Sequence, residues 1–476
     1  MFRDRLICLA AVLLASASGA VCAEETAGVP ISQAPPGQLE IAAAAMASAG
    51  HSAEAMSLAE AILLRDPDSA LAHYIVAREM LAAGNTDVAR QAASRSFSGA
   101  GTDRQHYEAA ILAAKVALAD ERWIAAQYWA RHAIQYAPDV PSKDLAVQDY
   151  YRLRSESPWN WRLRFGVKPS SNVNGGAEDR SNVIDGYDAV GVLSDDALAL
   201  SGIVGTLNFD TNYRIRRTEK SQTYLGAELY LRGVELSGSP KLTPFHLPGT
   251  PAPASVEIRN SDYSMVALGM NLSHRQVLDR STQFTASLSG GQMWQGGDPG
   301  YGYAGASLRA DRRLGQAPSA TRLSFGLGVE RRDWNDSAQK DTRSELIFGL
   351  TRVLSSGSLS GTMELLDVAS NNDQARSWSV TGSLRYEPNK HIGPLAYAFS
   401  AGAIKTVYPD YSVLWMHPEG GRQDETVYGE VGFWAPDYGY AGFTPEFRLQ
   451  AMQVDSNISR FTRSEFSLAV GLRSSF

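Results

Sequence analysis

From Trp159 to its end the chain alternates apolar residues with small or polar ones, position by position. WNWRLRFGVK (159–168) sets Trp161, Leu163, Phe165 and Val167 against Arg162, Arg164, Gly166 and Lys168. RLSFGLGVE (322–330) sets Leu323, Phe325, Leu327 and Val329 against Ser324, Gly326, Gly328 and Glu330. A period of two is the mark of strands whose two faces meet different solvents. Fourteen such segments are predicted, at about 159–168, 199–216, 221–234, 261–274, 283–294, 301–314, 319–333, 342–354, 358–369, 376–387, 394–407, 424–435, 442–454 and 461–476. In a soluble sandwich the apolar face would be the inner one. Here the polar face is crowded with Gly and Ser, which suits a watery lumen, and the apolar face suits lipid. Only a closed barrel lets strands cross a bilayer without an unpaired edge.

The connections test that count. An even number of strands returns both ends of the barrel to one side. Short turns are expected on that side, at 217–220, 314–318 and 355–357, and longer loops on the other, at 169–198, 235–260 and 408–423. All fall at the right parity.

Residues 36–140 read differently: rich in Ala, Leu, Glu, Gln and Arg, poor in Gly, as helices prefer. AGHSAEAMSLAEAILLRDP (49–67) aligns with AGNTDVARQAASRSF (83–97). Gly50 and Gly84 lie 34 residues apart, each followed five residues later by Ala, at Ala55 and Ala89. A third copy, 121–138, places Trp123, Ala126, Ala133 and Pro138 in step after a three-residue insertion. A 34-residue period with a turn Gly, small residues in the second helix and a closing Pro (Pro67, Pro138) resembles the tetratricopeptide repeat. An Ala-rich array of helical hairpins without repeat ancestry is the alternative. Three helix pairs make a short curved surface. Repeat geometry puts Glu40, Tyr74, Arg78, Glu108 and Lys115 on its concave side, as candidate contacts for a cargo protein or its chaperone.

The expected fold class is therefore α + β: an N-terminal tetratricopeptide-like helical array at 24–150, then a C-terminal antiparallel transmembrane β-barrel of about fourteen strands at 159–476. Residues 1–23 read as a secretory signal peptide, with Arg3 and Arg5, an apolar run from Leu6 to Leu14, and small residues before Ala23. Both cysteines, Cys8 and Cys22, lie inside it, so the mature chain is expected to hold no thiol. No run of 18 apolar residues follows, so no transmembrane helix is expected. A net charge of −7 argues against nucleic acid as a partner.

Candidate chemistry is sparse. GYGYAG (300–305) matches G-x-G-x-x-G, but it opens a strand rather than a helix, so glycines in a barrel wall account for it better than a dinucleotide cradle. There is no Walker A pattern. The eight His residues lack metal-ligand spacing, and His274 is the one strand-end candidate for a hydrolase base. No cofactor, metal or catalytic residue is expected, and the chain does not read as an enzyme. The Trp and Tyr residues near strand ends suit interfacial girdles. The last strand sets Phe466, Leu468, Val470, Leu472 and Phe476 on one face. An alternating final strand ending in an aromatic resembles the signal by which outer-membrane barrels are recognised by their assembly machinery.

A signal peptide, a short repeat domain and a barrel of this size together resemble the surface lipoprotein assembly modulator (Slam) family, outer-membrane components of type XI secretion. The local match is KPSSNVNGGAEDRSN (168–182), in which Ser171-Asn172-Val173-Asn174 is similar to a motif entering the family's first external loop. The resemblance implies a Gram-negative outer-membrane translocator, embedded in outer-membrane lipid with its helical domain in the periplasm. It would carry a dedicated cargo from periplasm to cell surface, with help from periplasmic chaperones. The implied cargo is a surface lipoprotein or a soluble secreted protein, often a haem- or iron-related or host-association factor. An exopolysaccharide exporter and a small-solute porin with a periplasmic repeat domain are the alternatives.

Overall fold

The computed structural model describes residues 35–185, 190–238, 241–242, 256–316, 320–413, 416–440 and 443–474. The signal peptide and Phe476 lie outside the described residues. Seven helices come first: α1 (Pro36–Ala49), α2 (Ser52–Leu63), α3 (Ala70–Ala82), α4 (Thr86–Ser98), α5 (Asp103–Ala119), α6 (Trp123–Gln135) and α7 (Val140–Glu156). The chain divides into two compact units, one ending at Val116 and the other beginning at Ala117.

In the first unit, α1 packs on α2, α2 on α3 and α3 on α4. The contact between them is made by small residues: Ala43, Ala55, Ala59, Ala72, Ala77 and Ala89 are fully buried. Without large side chains to hold them apart, helix backbones approach closely, and Leu39, Ile62 and Ile75 fill what remains. Ser69 and Asn85 cap α3 and α4, each side chain accepting from a backbone N–H of the first turn.

The three hairpin turns share one device. Gly50 (φ 83°) and Gly84 (φ 79°) take the left-handed conformation just past α1 and α3. The N–H groups of His51 and Asn85 then reach back to the carbonyls of Met46 and Met80, at 3.0 and 2.8 Å. After α5 the same bond runs from Arg122 to Ala117 at 2.8 Å, but the left-handed residue there is Glu121, with φ 54°. It is the only non-glycine with positive φ among the described residues. The α5–α6 turn thus keeps the same bond without a glycine.

The second unit holds α6, α7 and a closed antiparallel barrel of fourteen strands. The strands are β1 (Trp159–Ser170), β2 (Gly202–Arg217), β3 (Ser221–Leu236), β4 (Met265–Val277), β5 (Thr282–Gln295), β6 (Asp298–Leu314), β7 (Thr321–Trp334), β8 (Lys340–Leu354), β9 (Gly357–Ser370), β10 (Ser377–Pro388), β11 (Ala396–Tyr408), β12 (Arg422–Trp434), β13 (Phe443–Ser456) and β14 (Arg463–Ser474). Each pairs with the next and β14 closes on β1. Every predicted strand is present, with ends shifted by a few residues. The three long connections fall at one end of the barrel, and the three short turns at the end that carries the α7–β1 junction.

Register confirms which face is which. Leu308, Leu327 and Leu346 align across β6, β7 and β8 and stand exposed on the outer face, as do Phe325 with Phe348. On the opposite face Ser307, Gly328 and Glu345 align. This is the architecture of an outer-membrane barrel: apolar outward, polar inward, with no open edge. Phe466, Leu468, Val470 and Leu472 all belong to the outer face, between 42% and 67% exposed.

Candidate functional site

The lumen wall is built from glycines that make room for aromatic rings. Tyr303 on β6 lies along the wall over Gly269 of β4 and Gly291 of β5, and Tyr428 on β12 lies over Gly402 of β11. A Cβ at any of these glycines would collide with the ring. The G-x-G-x-x-G match sits wholly within β6, where Gly305 faces Ser289 and Glu330. Charged lumen residues pair with one another, Arg162 with Asp210 at 3.2 Å and Arg332 with Glu330 at 2.6 Å, and the neutral Gln450 amide donates to Glu430 at 2.5 Å.

The closure between β1 and β14 differs from every other pairing. Its register runs only from Phe165↔Leu472 to Val167↔Val470, whereas β1 pairs with β2 over its whole length, from Trp159↔Tyr213 to Ser170↔Gly202. Side chains make up part of the difference. On the far side of the paired stretch, Glu465 of β14 accepts from Lys168 Nζ at 2.9 Å and from Ser170 Oγ at 3.0 Å.

At the other end of the same seam stands α6. Arg131, 6% exposed, places its guanidinium 5.2 Å from the ring of Trp161 on β1 and 5.2 Å from that of Phe443 on β13. It also stacks on Tyr150 of α7 at 5.4 Å and donates to its hydroxyl at 3.0 Å. One cation therefore spans from the first strand to the penultimate one, past the end of the last. α7 is tied in too: Arg214 of β2 donates to the carbonyls of Ser155 and Glu156, and Arg217 pairs with the Glu156 carboxylate at 2.9 Å. Cations at a helix C-terminus meet unpaired carbonyls and the negative end of its dipole.

Ser171-Asn172-Val173-Asn174 is a folding knot at the opposite mouth. The Asn172 side chain closes a ring with Gly176, donating to its carbonyl at 2.7 Å and accepting from its N–H at 2.8 Å. Asn174 donates to the carbonyls of Asp196 and Leu198 and accepts from Leu200 N–H at 2.9 Å. Val173 is buried against Val204 and Val234, and Arg232 holds its carbonyl at 2.7 Å. The loop then crosses to the β13–β14 connection, where Ile184 and Ile458 pair and Asp185 N–H donates to Asn457 at 2.9 Å. The motif's polar side chains satisfy the backbone of the folded loop between β1 and β2.

Of the residues predicted on the helices, three converge. Burial, and then the charge of Glu108, pushes the Tyr74 phenol above its usual pKa, while Arg78 opposes the shift. Arg78 donates to the Ala47 carbonyl and, through Nε, to Glu79 at 2.9 Å, so it ties α3 to the end of α1. Burial of Glu79 favours its neutral form, but the Ser52 hydroxyl and Arg78 outweigh that and hold its carboxyl low. Glu108 pairs with Arg104 at 3.0 Å; Lys115 is exposed and Glu40 half-buried. His274 accepts or donates one hydrogen bond, to Thr223 Oγ1 at 2.9 Å, in register with outward-facing Leu272 and Leu225. Sequence reasoning missed Arg131, Lys168 and Glu465, whose partners are distant in the chain.

No protein-family model matches the chain, and no curated protein matches it. Among solved structures it is similar to a bacterial polysaccharide outer membrane secretin (10% identity, TM-score 0.31, covering 65% of this chain and 98% of that one). It is similar also to a loop-deletion mutant of OmpT, an outer membrane protein of Vibrio cholerae (10%, 0.32, 67% and 99%). The outer membrane channel DcaP of Acinetobacter baumannii is a third (12%, 0.35, 68% and 99%). At TM-scores this low the similarity supports no statement about function.

Proposed function

We propose that this protein is an outer-membrane translocator that passes a dedicated cargo protein from the periplasm to the cell surface. The observation that carries the reading is the β1–β14 seam, registered only from Phe165 to Val167, with α6 braced across one end. A barrel that had only to stay closed would gain from a full ladder there, as everywhere else. A fourteen-strand lumen is too narrow for a folded domain, since about 16–18 strands make an open porin channel. Cargo would therefore pass unfolded, or leave through the seam. The helices would lie in the periplasm as a tetratricopeptide-like receiver for cargo or its chaperone, and assembly machinery would insert the barrel. The cargo class is that implied by the resemblance to the Slam family through Ser171–Asn174: a surface lipoprotein or soluble secreted protein, haem- or iron-related or serving host association.

A second reading, a small-solute porin, is favoured by the Gly- and Ser-lined lumen; an exopolysaccharide exporter is the third. The test is co-expression with a candidate cargo encoded beside this protein in a laboratory Gram-negative host, followed by protease shaving of intact cells. Cargo that becomes protease-sensitive only when the barrel is present supports translocation. Cargo that stays periplasmic beside a correctly inserted barrel overturns it for that cargo, and planar-bilayer conductance then tests the porin reading.

A further inference from the structure

The helix-side mouth of the lumen holds a concentration of arginine that nothing described so far uses. Arg275 near the end of β4, Arg280 in the β4–β5 turn, Arg313 of β6 and Arg322 of β7 line one cavity of about 230 Å³, with Ser281 and Gln283 beside them. Register places three of the four inside the barrel. Arg313 pairs with Arg322, two residues along from Asp311↔Ser324 and four from Arg309↔Gly326. Arg275 pairs with Thr285, which in turn faces Arg309. Arg275, Arg313 and Arg322 share the lumen face, opposite to Phe284 and Phe325, while Arg312 at the rim of the same cavity takes the outer register of Thr282 and Leu323.

The two carboxylates at this cavity are already engaged. Asp279 accepts from the Ser281 hydroxyl at 2.6 Å and from the N–H groups of Ser281 and Thr282 at 2.7 and 2.9 Å. Those bonds, the Ser281 hydroxyl first, hold its carboxyl down to about 2. Asp311, 8% exposed, accepts from Arg309, from Ser324 at 2.6 Å and from Gln283 at 3.4 Å. Meanwhile, among the described residues, the Arg275 guanidinium donates to Gln283 at 2.9 Å and the Arg313 guanidinium to the Arg280 carbonyl at 3.2 Å. Among the described residues none of Arg275, Arg280, Arg313 and Arg322 forms an ion pair. The four guanidinium groups thus outnumber the cavity's two carboxylates, Asp279, which is held by neutral donors, and Asp311, which pairs with Arg309.

We propose that this cavity binds carboxylate side chains of an acidic polypeptide segment as it enters the lumen from the periplasm. The identity of the occupant rests on the translocator reading. Planar guanidinium forks suit carboxylates bidentately, which lysines in the same places would not do. The lumen register turns Arg275, Arg313 and Arg322 away from bilayer headgroups, and a positive mouth concentrates acidic segments before they enter a confined path.

The test uses the full chain in phosphatidylcholine nanodiscs and a fluorescein-labelled oligoglutamate, followed by anisotropy. Wild type should bind it more tightly than an oligolysine or a neutral Gly-Ser peptide of equal length. The triple variant Arg280→Gln, Arg313→Gln, Arg322→Gln should bind about tenfold more weakly or worse. Arg385→Gln, elsewhere on the lumen wall, should bind as wild type does. Equal binding of the acidic and neutral peptides, or an unchanged triple variant, overturns the proposal. So does displacement by inorganic phosphate at equal charge concentration, which would make this a general oxyanion site. If the triple variant fails to insert, Arg322→Gln alone must still weaken binding several-fold. Binding is read without cargo export, so a failed surface-exposure assay with intact peptide binding removes only the translocator reading.

Discussion

Lys168 on the first barrel strand and Glu465 on the last meet at 2.9 Å across a seam whose backbone register ends at Val167↔Val470, one residue from Lys168 and five from Glu465. A side-chain ion pair takes over where the ladder stops. Both partners are largely shielded, so the pair is screened less than a surface bridge.

Lys168→Ala should therefore weaken the closed barrel by about 1–2 kcal/mol, since it leaves the Glu465 carboxylate with Ser170 alone. The check is the temperature at which the folded, fast-migrating band is lost on a denaturing gel. A double-mutant cycle with Glu465→Ala should show coupling between the two; strict additivity would mean the pair does not hold the seam.

Arg131→Ala removes a cation from the faces of Tyr150, Trp161 and Phe443 together with its bond to the Tyr150 hydroxyl. A loss of about 2 kcal/mol is expected, confined to the α6–α7 pair and its attachment to the barrel. Limited proteolysis of the inserted protein should cut within 123–156 faster in the variant while the strands stay protected. Arg131→Lys should be intermediate, because a compact ammonium cannot serve three rings at once.

Glu121→Gly should stabilise the helical region by about 0.5 kcal/mol, a sign opposite to that expected of glycine in most places. The left-handed φ of 54° strains a side chain but not glycine, and this gain exceeds the extra freedom glycine has when unfolded. Urea titration followed by helical circular dichroism reads it. Gly50→Ala and Gly84→Ala should move the other way.

Asn174→Ala takes away the donor to two carbonyls and the acceptor for Leu200 N–H in the loop between β1 and β2. The exposed backbone groups should cost about 2–4 kcal/mol locally. Protease added to intact cells should then cleave between residues 171 and 201 in the variant and spare the wild type.

Tyr74 offers a pH test. Its folded pKa is raised by burial and by Glu108, so its contribution to stability is complete below about pH 10, its unfolded value. That contribution is lost as pH climbs through the higher folded value. Tyr74→Phe should flatten the alkaline loss of helical stability, and the difference in tyrosinate absorbance between the two proteins should appear only above pH 10.

The strands were legible because alternation is local. Whether Leu323, Phe325 and Leu327 share a face depends on backbone geometry alone, and the sign of that face follows from Gly and Ser opposite. Loop parity then fixed the strand count. The helical hairpin turns were legible for the same reason at Gly50 and Gly84, yet Glu121 carried no signal, since glutamate does not announce a left-handed turn. The Ser171–Asn174 motif was visible as a string of letters. Its work, tying a loop to Leu198 and Leu200, was not.

Hydrophobic period and turn chemistry thus determined, from the sequence alone, that this chain makes helices and then a fourteen-strand barrel with lipid on one face. Tertiary structure alone decided how well the barrel closes and where its charge is left over. Arg131 meets Phe443 and Lys168 meets Glu465 across about 300 residues of chain. Arg275, Arg280, Arg313 and Arg322 come together only when the β4–β5 and β6–β7 hairpins stand side by side. Such meetings depend on register and curvature summed around the whole barrel, quantities that no local window of sequence contains.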